Sequence, residues 1–189
     1  MTEKIRDHQR QQDRIDVTIT YLKQTFRPET TPPPRPLMPT ALLRANKPPA
    51  HYYRYLYELV GAPYKWVSRN TLTDKELLDI IHHDQVYVYV YYINGCPGGL
   101  CEIDNRGLGY AEIKFFGLTP ENTGRGLGRY FLWNAIALAW ELNPGEVRLE
   151  TCTLDHDAAL PLYQKFGFNV YNRRKGVVDV SSLNRPYKS

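Results

Sequence analysis

The chain has 189 residues, 42% hydrophobic and 23% charged, with a net charge of +4, which suits one globular domain and leaves no Lys/Arg block dense enough for a nucleic-acid surface. Cys96, Cys101 and Cys152 are odd in number and lack Cys-x-x-Cys spacing, so reduced thiols in a cytoplasm are expected, not a disulfide or zinc framework. No apolar run approaches the ~20 residues of a membrane helix, and the opening MTEKIRDHQRQQDR is too polar for a signal peptide.

In chain order, residues 1–14 are polar and expected to be loose or a short helix. Residues 15–22 alternate Ile15, Val17 and Ile19 and predict a first strand. Residues 27–49 hold most of the prolines, including Pro32-Pro33-Pro34-Arg35-Pro36, and are expected to run extended as a strap on the domain. The same composition would serve as a P-x-x-P ligand. Residues 51–60, HYYRYLYELV, place Tyr52, Tyr55 and Leu59 at helical spacing. Thr73 with Glu76 is a capping box for a helix over residues 74–82, with Leu77, Leu78, Ile80 and Ile81 inward. Valine and tyrosine alternate over residues 86–93 and end in Asn94-Gly95, a hairpin signal, with residues 98–103 as the returning strand. Residues 108–118 predict the next strand. Leu127, Phe131, Ala135, Leu138 and Leu142 mark a helical stripe that Asn143-Pro144-Gly145 ends. Residues 147–153 read as a strand, Asp155 as the cap of a helix that stops at Gly167, and residues 168–171 as a last strand.

The densest chemical signal is residues 110–129, YAEIKFFGLTPENTGRGLGR. An apolar strand carrying one carboxylate, Glu112, leads through a short linker to Gly124, Gly126 and Gly128 and into the helical stripe. Such a turn leaves backbone N–H groups bare at a helix N-terminus, where the macrodipole adds partial positive charge and Arg125 and Arg129 add whole ones. The turn suits a phosphate. Its spacing is neither the dinucleotide fingerprint nor a P-loop, since no Gly-x-Gly-x-x-Gly is present and no Lys-Ser or Lys-Thr follows the last glycine.

On these residues the segment resembles motif A of the GNAT superfamily, the acyl-CoA-dependent N-acetyltransferases. Gly126 and Gly128 take the Gly-x-Gly positions and Arg125 the variable basic one. Thr123 stands where Arg or Gln is usual, and its hydroxyl is able to donate to a phosphate. The register from Glu112 to Gly128 is similar to the histone acetyltransferase branch, whose base sits where Glu112 sits. A second resemblance lies in residues 151–168, TCTLDHDAALPLYQKFGF, where His156, Ala159, Leu162, Tyr163, Gly167 and Phe168 fill the N-x-x-A-x-x-L/F-Y-x-x-x-G-F slots with His in place of Asn. This stretch also resembles a bacterial GNAT branch of unassigned substrate.

The resemblance implies an α/β GNAT fold: a mixed, mostly antiparallel sheet flanked by helices on both faces. The acetyltransferase domain is expected at residues 51–175, after an N-terminal strand and Pro-rich arm at 1–50 and before a tail at 176–189. Acetyl-CoA is the implied co-substrate, with no metal; His82-His83-Asp84 read as a solvated helix end. The pyrophosphate contacts fall on Thr123, Gly124, Arg125, Gly126, Leu127, Gly128 and Arg129. Phe116, Gly117 and Leu118 offer backbone groups to pantetheine and the acetyl carbonyl. His156 replaces an asparagine that touches the pantetheine arm, and a free surface histidine is the equal alternative.

An amine acceptor is mostly protonated at neutral pH, so attack on a thioester needs a proton acceptor. Glu112 is the first candidate and Glu102 the reserve; the bland alternative for Glu112 is an ion pair with Arg106, Lys114 or Arg148. Tyr163 stands where the family places the acid for the departing thiolate, or else packs with Leu162 and Phe166. Cys152 keeps a covalent route open, with no histidine placed to activate it. Tyr52, Tyr53, Tyr55, Tyr57, Tyr64 and Trp66 fall near the expected acceptor cleft. The acceptor, a small-molecule amine or a protein or peptide amine, is not fixed by these patterns. Neither nucleic acid nor membrane is expected as a partner, a homodimer stays open, and the rival function is a non-catalytic acyl-CoA sensor.

Overall fold

The computed structural model describes residues 13–29 and 31–183. The segment expected to open the chain therefore lies outside the described residues up to position 12, as does the expected tail from position 184.

Among the described residues one mixed sheet has the strand order β2-β3-β4-β5-β6-β1-β7. Its strands are β1 Arg14–Gln24, β2 Thr40–Arg44, β3 Val86–Ile93, β4 Cys96–Gly107, β5 Tyr110–Leu118, β6 Glu146–Cys152 and β7 Asn169–Asp179. Helices α1 (Ala50–Gly61), α2 (Asp74–Ile81), α3 (Leu127–Glu141) and α4 (Ala159–Lys165) flank it. Every neighbouring pair is antiparallel except β5 with β6.

Alternation in β3 sorts the two cores. Val88 and Val90 face α1 and α2, where Tyr53, Leu56, Tyr57, Val60, Leu77 and Ile81 are buried. Tyr91 and Ile93 face the opposite side, where Phe131, Leu132, Ala135 and Ala139 of α3 pack on Ile103, Ala111, Ile113, Val147 and Leu149. The Asn94-Gly95 turn has both residues at positive φ, 51° and 82°, the conformation a two-residue hairpin needs. At α2 the capping box is complete: Thr73 Oγ1 accepts from the Glu76 N–H and the Glu76 carboxylate accepts from the Thr73 N–H.

Three elements differ from the sequence pattern. The proline-rich strap contributes β2, which pairs with β3 from Thr40↔Ile93 to Arg44↔Tyr89 and forms one edge of the sheet. The last strand runs on to Asp179, paired with β1. Asp155 does not cap α4: its carboxylate turns back to accept from Thr151 Oγ1 at 2.7 Å and the Cys152 N–H at 2.8 Å, closing the end of β6. Helix α4 starts only at Ala159, after a turn in which His156 Nδ1 accepts from the Ala158 N–H.

Candidate functional site

The site begins with a bulge. Ile103 pairs with Ile113 and Glu102 with Phe115, which leaves Lys114 as the extra residue of β5. The pairing of β5 with β6 stops at the same level, at Ile113↔Leu149. Beyond it residues 114–118 and 150–152 diverge, and a gap opens in the middle of the sheet.

Two cavities meet in that gap. The first, about 460 Å³, lies between the end of β5, the glycine turn and α4; it is lined by Phe116, Gly117, Leu118, Thr123, Gly124, Gly126, Gly128, Arg129, His156 and Tyr163 among others. The second, about 210 Å³, lies between residues 64–68 after α1 and the ends of β5 and β6. Tyr64, Trp66, Phe116, Asp155 and Tyr163 line both, so the cavities adjoin.

The glycine turn is built for close approach. Gly124 and Gly126 have φ of 76° and 77°, and a Cβ added at either would meet nothing within 4 Å. Gly126 is the N-cap of α3, where no side chain caps the helix and no acid sits in the first turn. The first N–H groups of this 15-residue helix therefore have no built-in anion, and Gly126 and Gly128 line the cavity. Two expected contacts are turned elsewhere: Leu127 is buried in the core, and Arg125 Nη1 donates to Asn122 Oδ1 at 3.1 Å. Thr123 lines the cavity, but its hydroxyl donates to the Thr119 carbonyl at 3.1 Å and is not free to donate to a phosphate.

The two candidate bases differ in burial and in partners. Glu102 is fully buried and bonded to Tyr53 Oη and Arg69, facing α1. Neither Glu102 nor Glu112 is among the residues that line the two cavities. Burial acts to lower the Arg69 pKa, and its interaction with Glu102 outweighs that, so the guanidinium stays charged; it lies 5.1 Å from the Phe115 ring centroid. Glu112 accepts from Lys114 Nζ at 3.0 Å, one of the ion pairs anticipated as its alternative role. Lys114 Nζ also lies 3.9 Å from Glu150, and Lys114 and Glu150 line the smaller cavity. Burial acts to lower the Lys114 pKa; Glu112 and then Glu150 more than offset it and hold the ammonium charged.

Tyr163 projects from α4 to the junction of the cavities, edge-on to Phe116 and Phe168. Burial, then the nearby Asp155 carboxylate, push its phenol pKa up, so it keeps its proton at neutral pH. Burial also raises the Cys152 thiol, which argues against a thiolate nucleophile there. Of the aromatic residues near the expected cleft, Tyr57, Tyr64 and Trp66 reach the smaller cavity. Tyr53 is bound to Glu102, Tyr52 Oη bonds Tyr92 Oη at 2.9 Å, and Tyr55 is exposed. Sequence reasoning did not single out Glu150 or Lys114 as cavity residues, because their placement depends on the bulge and on where β5 and β6 part.

No curated protein matches the sequence. Solved structures share the fold. A functionally unknown conserved protein from Staphylococcus epidermidis aligns over 95% of this chain and 68% of its own, at 16% identity and a TM-score of 0.57. A GCN5-related N-acetyltransferase from Sphaerobacter thermophilus aligns over 95% and 57%, at 19% and 0.58. An aminoglycoside acetyltransferase from an uncultured soil metagenomic sample aligns over 68% and 87%, at 16% and 0.54. The chain thus spans little more than half the length of the Sphaerobacter protein. Residues 51–168 match the model of the acetyltransferase (GNAT) family, and the chain belongs to that family.

Proposed function

We propose that this protein is an acetyl-CoA-dependent N-acetyltransferase that transfers the acetyl group directly to a primary amine within a ternary complex. The observation that carries the reading is the meeting of the two cavities where β5 and β6 part, with Tyr163 at their junction. The residues present fit coenzyme A: open space on the Cβ side of Gly124 and Gly126, an uncapped helix N-terminus and Arg129 suit a pyrophosphate. Phe116, Gly117, Leu118 and His156 line the remaining length toward the gap, and the side of β5 turned away from β4, which β6 leaves unpaired beyond Ile113, offers backbone groups to a pantetheine arm. When bound, the thioester supplies an activated acetyl carbon.

The chain's own residues supply the rest. We assign the amine's proton to Glu112, reached through water past Lys114, whose ammonium lies 3.0 Å from Glu112 and which itself lines the smaller cavity. Tyr163, kept protonated by burial, donates to the departing thiolate. We assign stabilisation of the developing oxyanion to backbone N–H groups of β5 beyond Ile113, where its pairing with β6 ends. The nitrogen–carbon bond forms as the carbon–sulfur bond breaks; of the two protons the ammonium loses, one passes through Glu112 to solvent and the other makes good the proton that Tyr163 gives to the thiolate.

The test is thiol release from acetyl-CoA against an amine library, with calorimetry for coenzyme A. Turnover with at least one amine is expected. Tight binding of coenzyme A without turnover across the library would overturn the enzymatic reading.

A further inference from the structure

The smaller cavity is specific in size, wall and charge. An apolar cavity of about 150 Å³ holds a single benzene; at about 210 Å³ this one has room for a ring and a short alkyl arm within its walls. Those walls are preformed. Tyr57, Trp66 and Phe115 pack on one another with ring centroids 5.4, 5.0 and 5.2 Å apart, so an entering ring orders little that is not already ordered. Trp66 is itself seated on Gly61 of α1, where a Cβ would lie 2.4 Å from the indole.

Charge in the cavity is equally restrictive. Its carboxylates among the described lining residues are Glu150 and Asp155. Asp155 is engaged by Thr151 Oγ1 and the Cys152 N–H. Glu150 has 39% of its side-chain surface exposed and one cation near it, Lys114 at 3.9 Å, which lies closer to Glu112 at 3.0 Å. Glu150 therefore retains capacity for one ammonium. Lys65 and Lys114 also line the cavity, so each further ammonium adds repulsion that no second open carboxylate among the described lining residues offsets.

We propose, resting on the acetyl-transfer reading above, that the acceptor is a small primary monoamine with an apolar body of about one ring, its ammonium received by Glu150. Polyamines and aminoglycosides, with several ammonium groups, fit neither the single open carboxylate nor the ring-lined volume. Glu150 acts here as a specificity residue: it draws the amine into the gap, and the proton is removed from there.

Initial rates with phenethylamine, spermidine and an aminoglycoside test the proposal. Phenethylamine should lead in kcat/KM, and Glu150→Gln should raise its KM at least about tenfold, as loss of a charged hydrogen bond does. An uncharged aniline of the same size, measured as a competitive inhibitor, should bind wild type and Glu150→Gln equally. Glu150→Asp, which keeps the charge, should recover most of the phenethylamine affinity. A preference for spermidine or the aminoglycoside, an unchanged KM in Glu150→Gln, or equal weakening of the aniline would overturn the assignment. Calorimetry on the same preparations separates the two readings: coenzyme A bound with the wrong amine preference sinks this inference alone, whereas no coenzyme A binding sinks the reading beneath it.

Discussion

Gly126→Asp tests the cofactor cradle most sharply, because the structure separates its effect on folding from its effect on binding. Gly126 has φ 77°, and a non-glycine residue in that region costs about 1–2 kcal/mol. An acid at the N-terminus of α3 returns about 0.3–1 kcal/mol through the macrodipole. No neighbour lies within 4 Å of the added Cβ, so no clash adds to the cost. The fold should survive, with a Tm loss of roughly 2–4 °C per kcal/mol for a chain of this size. Binding should suffer far more. Two like charges 4 Å apart repel by about 4 kcal/mol at an effective dielectric of 20, so a tenfold loss of coenzyme A affinity, about 1.4 kcal/mol, is a conservative floor. Gly126→Ala adds bulk without charge and should lose less. The gap between the two variants should narrow in high salt, since the Debye length shrinks from about 10 Å at 0.1 M to 3 Å at 1 M. Isothermal titration of coenzyme A into each folded variant is the assay. Wild-type affinity in a folded Gly126→Asp protein would refute the cradle.

Four further outcomes are expected. Glu112→Gln should leave coenzyme A affinity intact and lower kcat by roughly 10²–10⁴-fold; Glu102→Gln should instead lower Tm, since breaking a buried pair costs about 3–5 kcal/mol, and the reverse pattern in thermal melts and rates would exchange their roles. Tyr163→Phe keeps the ring contacts with Phe116 and Phe168, so Tm should hold while the chemical step slows, and the defect should shrink with a thioester of better leaving group; full activity would remove the acid role. Gly61→Ala should displace Trp66, which lines both cavities, and so raise the acceptor KM and weaken coenzyme A binding together, as read by steady-state kinetics and calorimetry; unchanged values for both would show that Trp66 does not shape the site. Burial raises Tyr57 to about 12 and also raises Tyr53 and Tyr163, so folding stability should be full below the unfolded tyrosine pKa of about 10 and fall as pH rises beyond it. Tyr57→Phe should flatten that alkaline slope in denaturant titrations.

Local signals carried much of the architecture. Asn94-Gly95, Thr73 with Glu76, and the stripe from Leu127 to Leu138 are short-range patterns, and each forms the element its spacing predicts. The strap was harder to read. Thr40–Arg44 follows a proline run, yet its backbone meets the open edge of β3, and that long-range pairing outweighs the local composition. Asp155 has a good N-cap residue type, but Thr151 Oγ1 and the Cys152 N–H compete for its carboxylate and win. At the site, Gly124 and Gly126 announce themselves because their conformations are local. Glu150 and Lys114 do not, since a bulge opposite Glu102 and Ile103 and the end of pairing at Ile113↔Leu149 bring them to one cavity.

The central claim is direct transfer at the gap between β5 and β6, and a two-substrate initial-velocity experiment tests it most directly. Acetyl-CoA and the preferred amine are varied together, and the acetylated amine is quantified by mass spectrometry alongside thiol release. Intersecting double-reciprocal lines, one product per thiol released, and unchanged kinetics in Cys152→Ala are predicted. Parallel lines with loss of activity in Cys152→Ala, or thiol release without acetylated amine, would contradict the account.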